Sequence, residues 1–191
     1  MLFGKKSGNG SEAKQQPEAA IAASPPAGEA KISPEDARKR LVAAKQMAAA
    51  FGEIVTLLMR SPADKHHSLG DLEWLVVPAV ARGHYALAEA QSKETGAVSP
   101  VGAVLWAFVS EEVDKRLSDL TAPLRLKPNE WRSGDIPWIV LASGDMRILG
   151  GLIQQLTKTA FKDQAPKMRA RGPDGKVTVG RLEIKDKAPA A

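Results

Sequence analysis

The stretch from Phe51 to Tyr85 reads FGEIVTLLMRSPADKHHSLGDLEWLVVPAVARGHY. Within it, a short polar loop from Ser61 to Ser68 separates two strongly apolar segments. Pro62 disfavours a helix that continues through the loop, because its ring clashes with the helical conformation of the residue before it. The stretch therefore predicts two helices joined by a loop that carries His66 and His67, two of the three histidines of the chain.

The helix before this loop has a clear predicted start. Ser33 supplies a hydroxyl cap, Pro34 suits the first helical position, and the acids that follow suit the positive end of the helix dipole. The helix is expected to end near Arg60. Its apolar residues fall at spacings of three and four, which predicts one apolar face; they are Leu41, Ala44, Ala48, Phe51, Val55 and Leu58. This face is expected to pack on the sheet or, as the alternative, on a second copy of the chain in a homodimer. The second helix is expected from about Ser68, with Asp71 completing a capping box, to Arg82 and Gly83.

The chain after Gly83 changes its period. Residues 84–90 alternate loosely, and residues 101–109 and 138–142 are almost continuously apolar, as in strands that are buried on both faces. Short helices are expected at 111–117 and 145–161. Gly172-Pro173-Asp174-Gly175 has turn chemistry and predicts a hairpin of strands 167–171 and 176–184. The pattern predicts an α/β fold with a central sheet and flanking helices.

Composition limits the class of protein. The chain has 191 residues, 43% of them hydrophobic, and no cysteine, which excludes disulfides and thiolate chemistry within it. Residues 1–32 are predicted to be a disordered tail, residues 33–184 one domain, and residues 185–191 a flexible tail. No signal peptide and no apolar run long enough to span a membrane are expected, so a cytoplasmic location is predicted. The net charge of +5 comes with few aromatic residues, and nucleic-acid binding therefore ranks last among the functions considered.

Several segments, in one collinear order from about Gly52 to Ile184, resemble the RTX-toxin-activating lysine acyltransferases, the hemolysin-activating family. The segment Glu130-Trp131-Arg132-Ser133-Gly134-Asp135, followed by Trp138, resembles the most distinctive motif of the family. The other matching segments are 51–55 with Ser61-Pro62, 77–80, 83–87, 100–107, 110–113, and 169–180 with its Gly175-Lys176-Val177 step.

The resemblance implies an acetyltransferase-like (GNAT-like) fold with a mixed central sheet. It implies an enzyme that transfers a fatty acyl group from acyl carrier protein to the ε-amine of an internal lysine of an RTX-type protein. Acyl carrier protein, charged with the acyl group, and the RTX-type protein are then the expected partners, and no other cofactor and no metal is expected. Arg125, Lys127 and Arg132 are candidate contacts for the carrier protein, which is acidic as a class.

The chain departs from the family at the catalytic pair. The family histidine lies two residues after the proline of the Ser-Pro step, where this chain has Asp64. The supporting acid of the family lies three residues after the tryptophan, where this chain has Leu141. One hypothesis is that His66 or His67 acts as the base in its place, oriented by Asp64, because imidazole titrates near neutral pH. The alternative is a binding module that keeps the acyltransferase fold without its chemistry.

The central motif supplies the candidate substrate-binding residues, Arg132, Ser133, Asp135 and Trp138. Each candidate also has a structural interpretation. The loop from Asp64 to Ser68 is also explained as a solvated connection that caps the next helix. Ser133 to Asp135 also reads as a turn that leads into the central strand. Trp138 also reads as a core residue.

Overall fold

The structure is a computed structural model that describes residues 32–172 and 174–182. Four helices and five strands follow one another in the order α1 (Pro34–Arg60), α2 (Leu69–Arg82), β1 (Tyr85–Gln91), β2 (Val98–Val109), α3 (Glu111–Ser118), β3 (Ile136–Gly144), α4 (Met146–Thr159), β4 (Lys167–Arg171) and β5 (Val177–Arg181). The predicted tails, Pro173 of the turn and the end of the last predicted strand lie outside the described residues.

The predicted α/β architecture is confirmed. The five strands form one sheet in the order β1-β2-β3-β4-β5. The sheet is mixed, because β3 and β4 run parallel and every other neighbouring pair is antiparallel. The parallel ladder is short and pairs Trp138 with Lys167 and Ile139 with Met168. Helix α4 is the crossover that a parallel pair requires.

The predicted caps of the first two helices are present. The Ser33 hydroxyl accepts a hydrogen bond from Asp36 N at 3.1 Å and begins α1. Ser68 and Asp71 form the complete capping box of α2, and Gly83 ends that helix in the left-handed conformation that glycine adopts without steric cost. Local sequence therefore fixes the start of α1 and both ends of α2.

Alternate residues of β2 point to opposite faces of the sheet, and each face has its own core. Leu105, Ala107 and Val109 pack with α1, α2 and α3. Val104 and Trp106 pack with α4 and Phe161 on the other face. This arrangement explains why the sequence of β2 is apolar without alternation.

Helix α1 contacts the core only through its C-terminal half. Ile54 and Leu58 are buried, whereas Leu41 is 57% exposed and the helix surface before Ala50 is exposed throughout. An 18-residue window of α1 has a mean hydropathy of 1.4, so this helix is long and apolar enough to cross a membrane by length and composition alone. This finding corrects the expectation that no apolar segment of the chain is long enough to span a membrane. Only 22% of that window is buried in the described structure, and the homodimer stays a prediction.

Candidate active site at the loop between the first two helices

The loop between α1 and α2 is a compact turn held by its own backbone. Asp64 N and Lys65 N donate to Ser61 O at 3.1 and 2.9 Å, and His67 N donates to Asp64 O at 3.1 Å. Ser61 N in turn donates to the last carbonyls of α1. Because both flanking helices are capped and packed in one core, the loop has a defined conformation relative to the sheet.

Asp64, at the position of the family histidine, ties this loop to the central strand. Its Oδ2 accepts hydrogen bonds from Ser61 Oγ and from Ser143 Oγ, both at 2.7 Å. Ser143 is 2% exposed and lies near the end of β3, 79 residues further along the chain. Hydrogen bonds from two hydroxyls satisfy one oxygen of the carboxylate. Asp64 therefore anchors the loop on β3.

His67 has a fixed orientation, and His66 does not. The Nδ1 atom of His67 lies 2.7 Å from Asp64 O. A carbonyl oxygen only accepts, so Nδ1 carries the hydrogen in this contact, and Nε2 of the neutral ring carries the lone pair. The His66 side chain is exposed and makes no hydrogen bond to the part of the chain that the structure describes. Of the two predicted histidines, His67 has the geometry of a base with one free nitrogen.

Asp71, in the first turn of α2, is a carboxylate that interacts with His67. Asp71 accepts hydrogen bonds from the Ser68 N–H and hydroxyl at 2.9 and 2.7 Å, and from Trp74 Nε1 at 3.2 Å. These bonds, with a smaller contribution from the charge of His67, lower the pKa of Asp71 from 3.8 to about 2. Asp71 is therefore ionised at neutral pH, and its hydrogen bonds fix Ser68, the residue after His67.

Leu141, at the position of the family acid, is a core residue. It is 9% exposed, packs in the core that contains α1 and α2, and pairs with Leu105 of β2. The register shifts next to it, since Trp106 pairs with Ile139 and Val140 is the extra residue of a bulge. Ser143 lies two residues after Leu141 and thus on the same face, where its hydroxyl reaches the loop. Ser143 was not predicted as a polar partner from the sequence. The alternation of side chains along a strand was the signal that could have identified it, because it places Ser143 on the face of Leu141.

The predicted substrate-binding residues lie at the other end of β3. Ser133 N donates to Phe108 O at 2.9 Å, and Ser133 Oγ accepts from Ser110 N at 2.9 Å, so this residue ties the entry of β3 to the end of β2. Arg132 and Asp135 are exposed beside it. Asp135 precedes Ser143 by eight residues, which is roughly 26 Å of extended strand. The structure therefore does not bring Arg132, Ser133 and Asp135 together with the polar loop, and only an extended ligand would contact both ends.

Trp138 has the contacts of a core residue. It is fully buried, and its Nε1 donates to Asp114 Oδ1 at 2.7 Å. Lys167 Nζ donates to the same carboxylate at 2.7 and 2.8 Å. A direct contact between Trp138 and a substrate would require this core to open. Lys167 of β4 is therefore paired internally.

A groove of about 700 Å³ runs along the exposed side of α2 and begins one helical turn after Asp71. Apolar side chains of α2 and of the segment 123–128 line it, including Trp74 and Leu126. Arg125 lies over the Trp74 ring, with its guanidinium carbon 5.7 Å from the centroid. The other cations of the lining are Arg82, Arg116 and Lys127. Arg116 is paired with Glu130, so Arg82, Arg125 and Lys127 against Glu73 give the groove an excess of positive charge beside its apolar lining.

Comparison with known protein families agrees with the geometry. The sequence model described as the RTX toxin acyltransferase family matches residues 43–182, about three quarters of the chain. The chain belongs to this family. The matched region includes the polar loop, the whole sheet and the helices that pack on it. No match was found among curated proteins. Among the described residues, no cluster of three or more His, Asp or Glu side chains is arranged to hold a metal ion.

Proposed function

We propose that this member of the RTX toxin acyltransferase family is an active cytoplasmic protein-lysine acyltransferase. It takes a fatty acyl group from acyl carrier protein and transfers it to the ε-amine of an internal lysine of an RTX-type protein. Family membership supports the reaction class. The observation that carries the activity is His67, whose Nδ1 is bonded to Asp64 O at 2.7 Å, which leaves Nε2 as the base.

The chemistry requires a base because the acceptor lysine is an ammonium ion at neutral pH. In the proposed step, Nε2 of His67 accepts a proton from the ammonium, and the amine nitrogen attacks the carbonyl carbon of the acyl thioester. A C–N bond forms, the C–S bond breaks, and the carrier thiolate leaves with the electron pair and takes the proton from the imidazolium. The nitrogen releases its remaining excess proton to solvent as the amide forms. Asp71 accepts hydrogen bonds from Ser68, the residue after His67, and so fixes the backbone next to the ring.

Asp64 is a positioning residue in this proposal. Its carbonyl oxygen sets the tautomer of His67, and its carboxylate holds the loop on β3 through Ser143. Precise placement matters because a displacement of about 1 Å can reduce a rate roughly a hundredfold. In this proposal Asp64 anchors the loop at the position of the family histidine. His67, three residues further along the loop, is the base.

The groove along α2 is the proposed docking surface for the carrier protein. Arg82, Arg125 and Lys127 suit an acidic partner, and such charges act mainly by speeding and orienting the encounter. The apolar floor suits the acyl chain. Asp71 bonds to Trp74, at the start of the groove, and to Ser68, next to His67, so the groove and the base lie at the same end of α2.

A second candidate function is an acyltransferase-like binding module without chemistry. The observation that favours it is the burial of Leu141, which puts an alkyl side chain at the position of the family acid. In this alternative the groove still binds the carrier protein, but no acyl transfer follows.

Intact-mass spectrometry of an RTX-repeat protein, incubated with this protein and with carrier protein charged with a fatty acyl chain, tests the proposal. The informative variant is His67→Asn, because the asparagine amide keeps a donor at the position of Nδ1 and removes the base at Nε2. His66→Asn is the matched control on the exposed neighbour.

We expect a protein-dependent acyl adduct on a lysine, at least roughly a hundredfold slower with His67→Asn, and unchanged with His66→Asn. An adduct that forms equally with both variants would remove His67 from the mechanism. No adduct, with the carrier protein still retained by the wild-type protein but not by an Arg125→Gln, Lys127→Gln variant, would favour the binding module.

A further inference from the structure

A second cleft, of about 620 Å³, lies at the end of β3 opposite the polar loop. It opens between the entry of β3, the end of β2 and the residues that follow α4. Its lining consists of His84, Phe108, Arg132, Gly134, Asp135, Ala160, Phe161, Lys162 and Gln164. None of the steps of the proposed acyl transfer uses this cleft.

His84 forms part of its wall through an aromatic cluster. The ring stacks on Trp106 at 5.9 Å between centroids and meets the edge of Phe108 at 5.5 Å. Phe161 completes the cluster through edge contacts with both of these side chains. The Nδ1 atom of His84 is buried and has no hydrogen-bond partner in residues 32–172 and 174–182. A buried polar atom of this kind calls for an explanation, such as an unseen ligand or water.

The charges of the cleft favour an anion. Arg132 and Lys162 line it together with a single carboxylate, that of Asp135. Neither cation forms an ion pair with a carboxylate of the described chain. Burial, followed by the charges of Arg132 and Arg82, lowers the pKa of His84, so the ring is neutral when the cleft is empty.

The backbone at the rim is also unusual. Lys162 and Asp163 both adopt left-handed conformations, with φ of 50° and 62°. Residues other than glycine rarely adopt this conformation, and those that do cluster at active sites and ligand-binding sites. Here the turn places Lys162 and Gln164 in the lining of the cleft together with Arg132.

We propose that this cleft is a binding site for a phosphate monoester, with Arg132 and Lys162 on the phosphate, His84 as an additional donor, and the Phe108 and Phe161 rings against the organic group. A guanidinium fork and an ammonium together match a dianion with several acceptor oxygens better than a single carboxylate. The site is distinct from the polar loop and does not depend on the proposed acyl transfer.

Isothermal titration calorimetry of the full chain with phenyl phosphate tests the proposal, with inorganic phosphate and benzoate as the comparison probes. Phenyl phosphate separates the contribution of the rings from that of the phosphate, and benzoate keeps the ring with a single negative charge. The cleft variant is Arg132→Gln, Lys162→Gln. The control is Lys45→Gln, Arg60→Gln, which removes the same charge from exposed positions of α1.

We expect phenyl phosphate to bind most tightly, and the cleft variant to weaken it by roughly tenfold or more, as the loss of charge-assisted hydrogen bonds predicts. The control variant should bind as the wild type does. Absence of binding at millimolar phenyl phosphate, or equal weakening by both variants, overturns the site. Benzoate binding as tightly as phenyl phosphate overturns the assignment to phosphate.

A second readout follows the His84 ring by NMR. The charged groups that face it are Arg82 at the end of α2, Arg132 and Asp135 before β3, and Lys162 after α4. A bound dianion stabilises the imidazolium, so the pKa of His84 should rise on addition of phenyl phosphate at a pH above about 6, where the phosphate is a dianion. A pKa of His84 that does not move on saturation would contradict its place in the site.

Discussion

The hydrogen bond between Ser143 and Asp64 is expected to stabilise the domain as well as position the loop. Ser143→Ala removes a hydroxyl that is 2% exposed and donates at 2.7 Å to the carboxylate. Hydrogen bonds to charged groups contribute about 1.5 to 3 kcal/mol. The lower end applies here, because Asp64 is half-buried and keeps the Ser61 hydroxyl. We therefore expect a loss of about 1.5 kcal/mol, or about 3 to 6 °C in Tm for a domain of this size.

A double-mutant cycle separates this contact from the other effects of each substitution. Urea unfolding of Ser143→Ala, Asp64→Ala and the double variant should give a coupling energy of about 1 kcal/mol or more, whereas uncoupled sites add within about 0.5 kcal/mol. Ser61→Ala with Asp64→Ala is the comparison cycle, and its coupling should be smaller because this pair is local and lies nearer to solvent. Additivity of the Ser143 and Asp64 effects would refute the anchor and, with it, the argument that Asp64 positions His67.

Four further substitutions test other positions of the domain. Asp71→Asn should lower stability at neutral pH, and the difference from wild type should disappear between roughly pH 4 and pH 2. The reason is that a carboxyl whose pKa is depressed from 3.8 to about 2 stabilises the fold only above that range. Urea midpoints measured across this range test the prediction. Gly134→Ala should cost about 2 kcal/mol or more, since a Cβ there would lie 2.6 Å from Val109 O. Gly150→Ala, where the same atom meets nothing within 4 Å of it, should instead stabilise α4 by about 1 kcal/mol; thermal unfolding measures both. Trp138→Phe should cost about 1 to 3 kcal/mol by the same measurement, because Asp114 loses a donor while the aromatic packing is kept.

The helices and strands could be predicted because their signals are local. The Ser33 and Ser68 caps, the Gly83 stop and the unbroken apolar runs of β2 and β3 each act within a few residues, and the structure has all of them. The apolar face of α1 was expected to pack along its length, but only the half after Ala50 reaches the sheet. Periodicity reports that a face is apolar and does not report how far the sheet extends beneath it.

The site could be predicted only in part, because its contacts join distant positions. The loop was identified from its two histidines, yet the choice between His66 and His67 depends on which ring reaches Asp64 O. Ser143 and His84 were missed, since their partners lie on other elements. The central motif was read as one substrate site because its residues are adjacent in sequence. Each residue of a strand adds about 3.3 Å of length. The central motif before β3 and Ser143 near the end of β3 therefore lie on different surfaces.

The polar loop shows how a contact can persist while its chemistry changes. Residue 64 faces β3 in this chain, and the strand residue that meets it is Ser143, two positions beyond Leu141. A histidine at residue 64 would find no carboxylate on this face, because Leu141 is buried among aliphatic side chains. Hydrogen bonds from the Ser143 and Ser61 hydroxyls satisfy Asp64 Oδ2, so the half-buried carboxylate keeps polar partners although the family acid is gone. Restoring only one member of the family pair, as Asp64→His, should therefore lower both stability and acyl transfer. The double variant Asp64→His, Leu141→Asp should recover part of both losses, and failure of the second substitution to recover either would show that the loop and strand are not coupled at these positions.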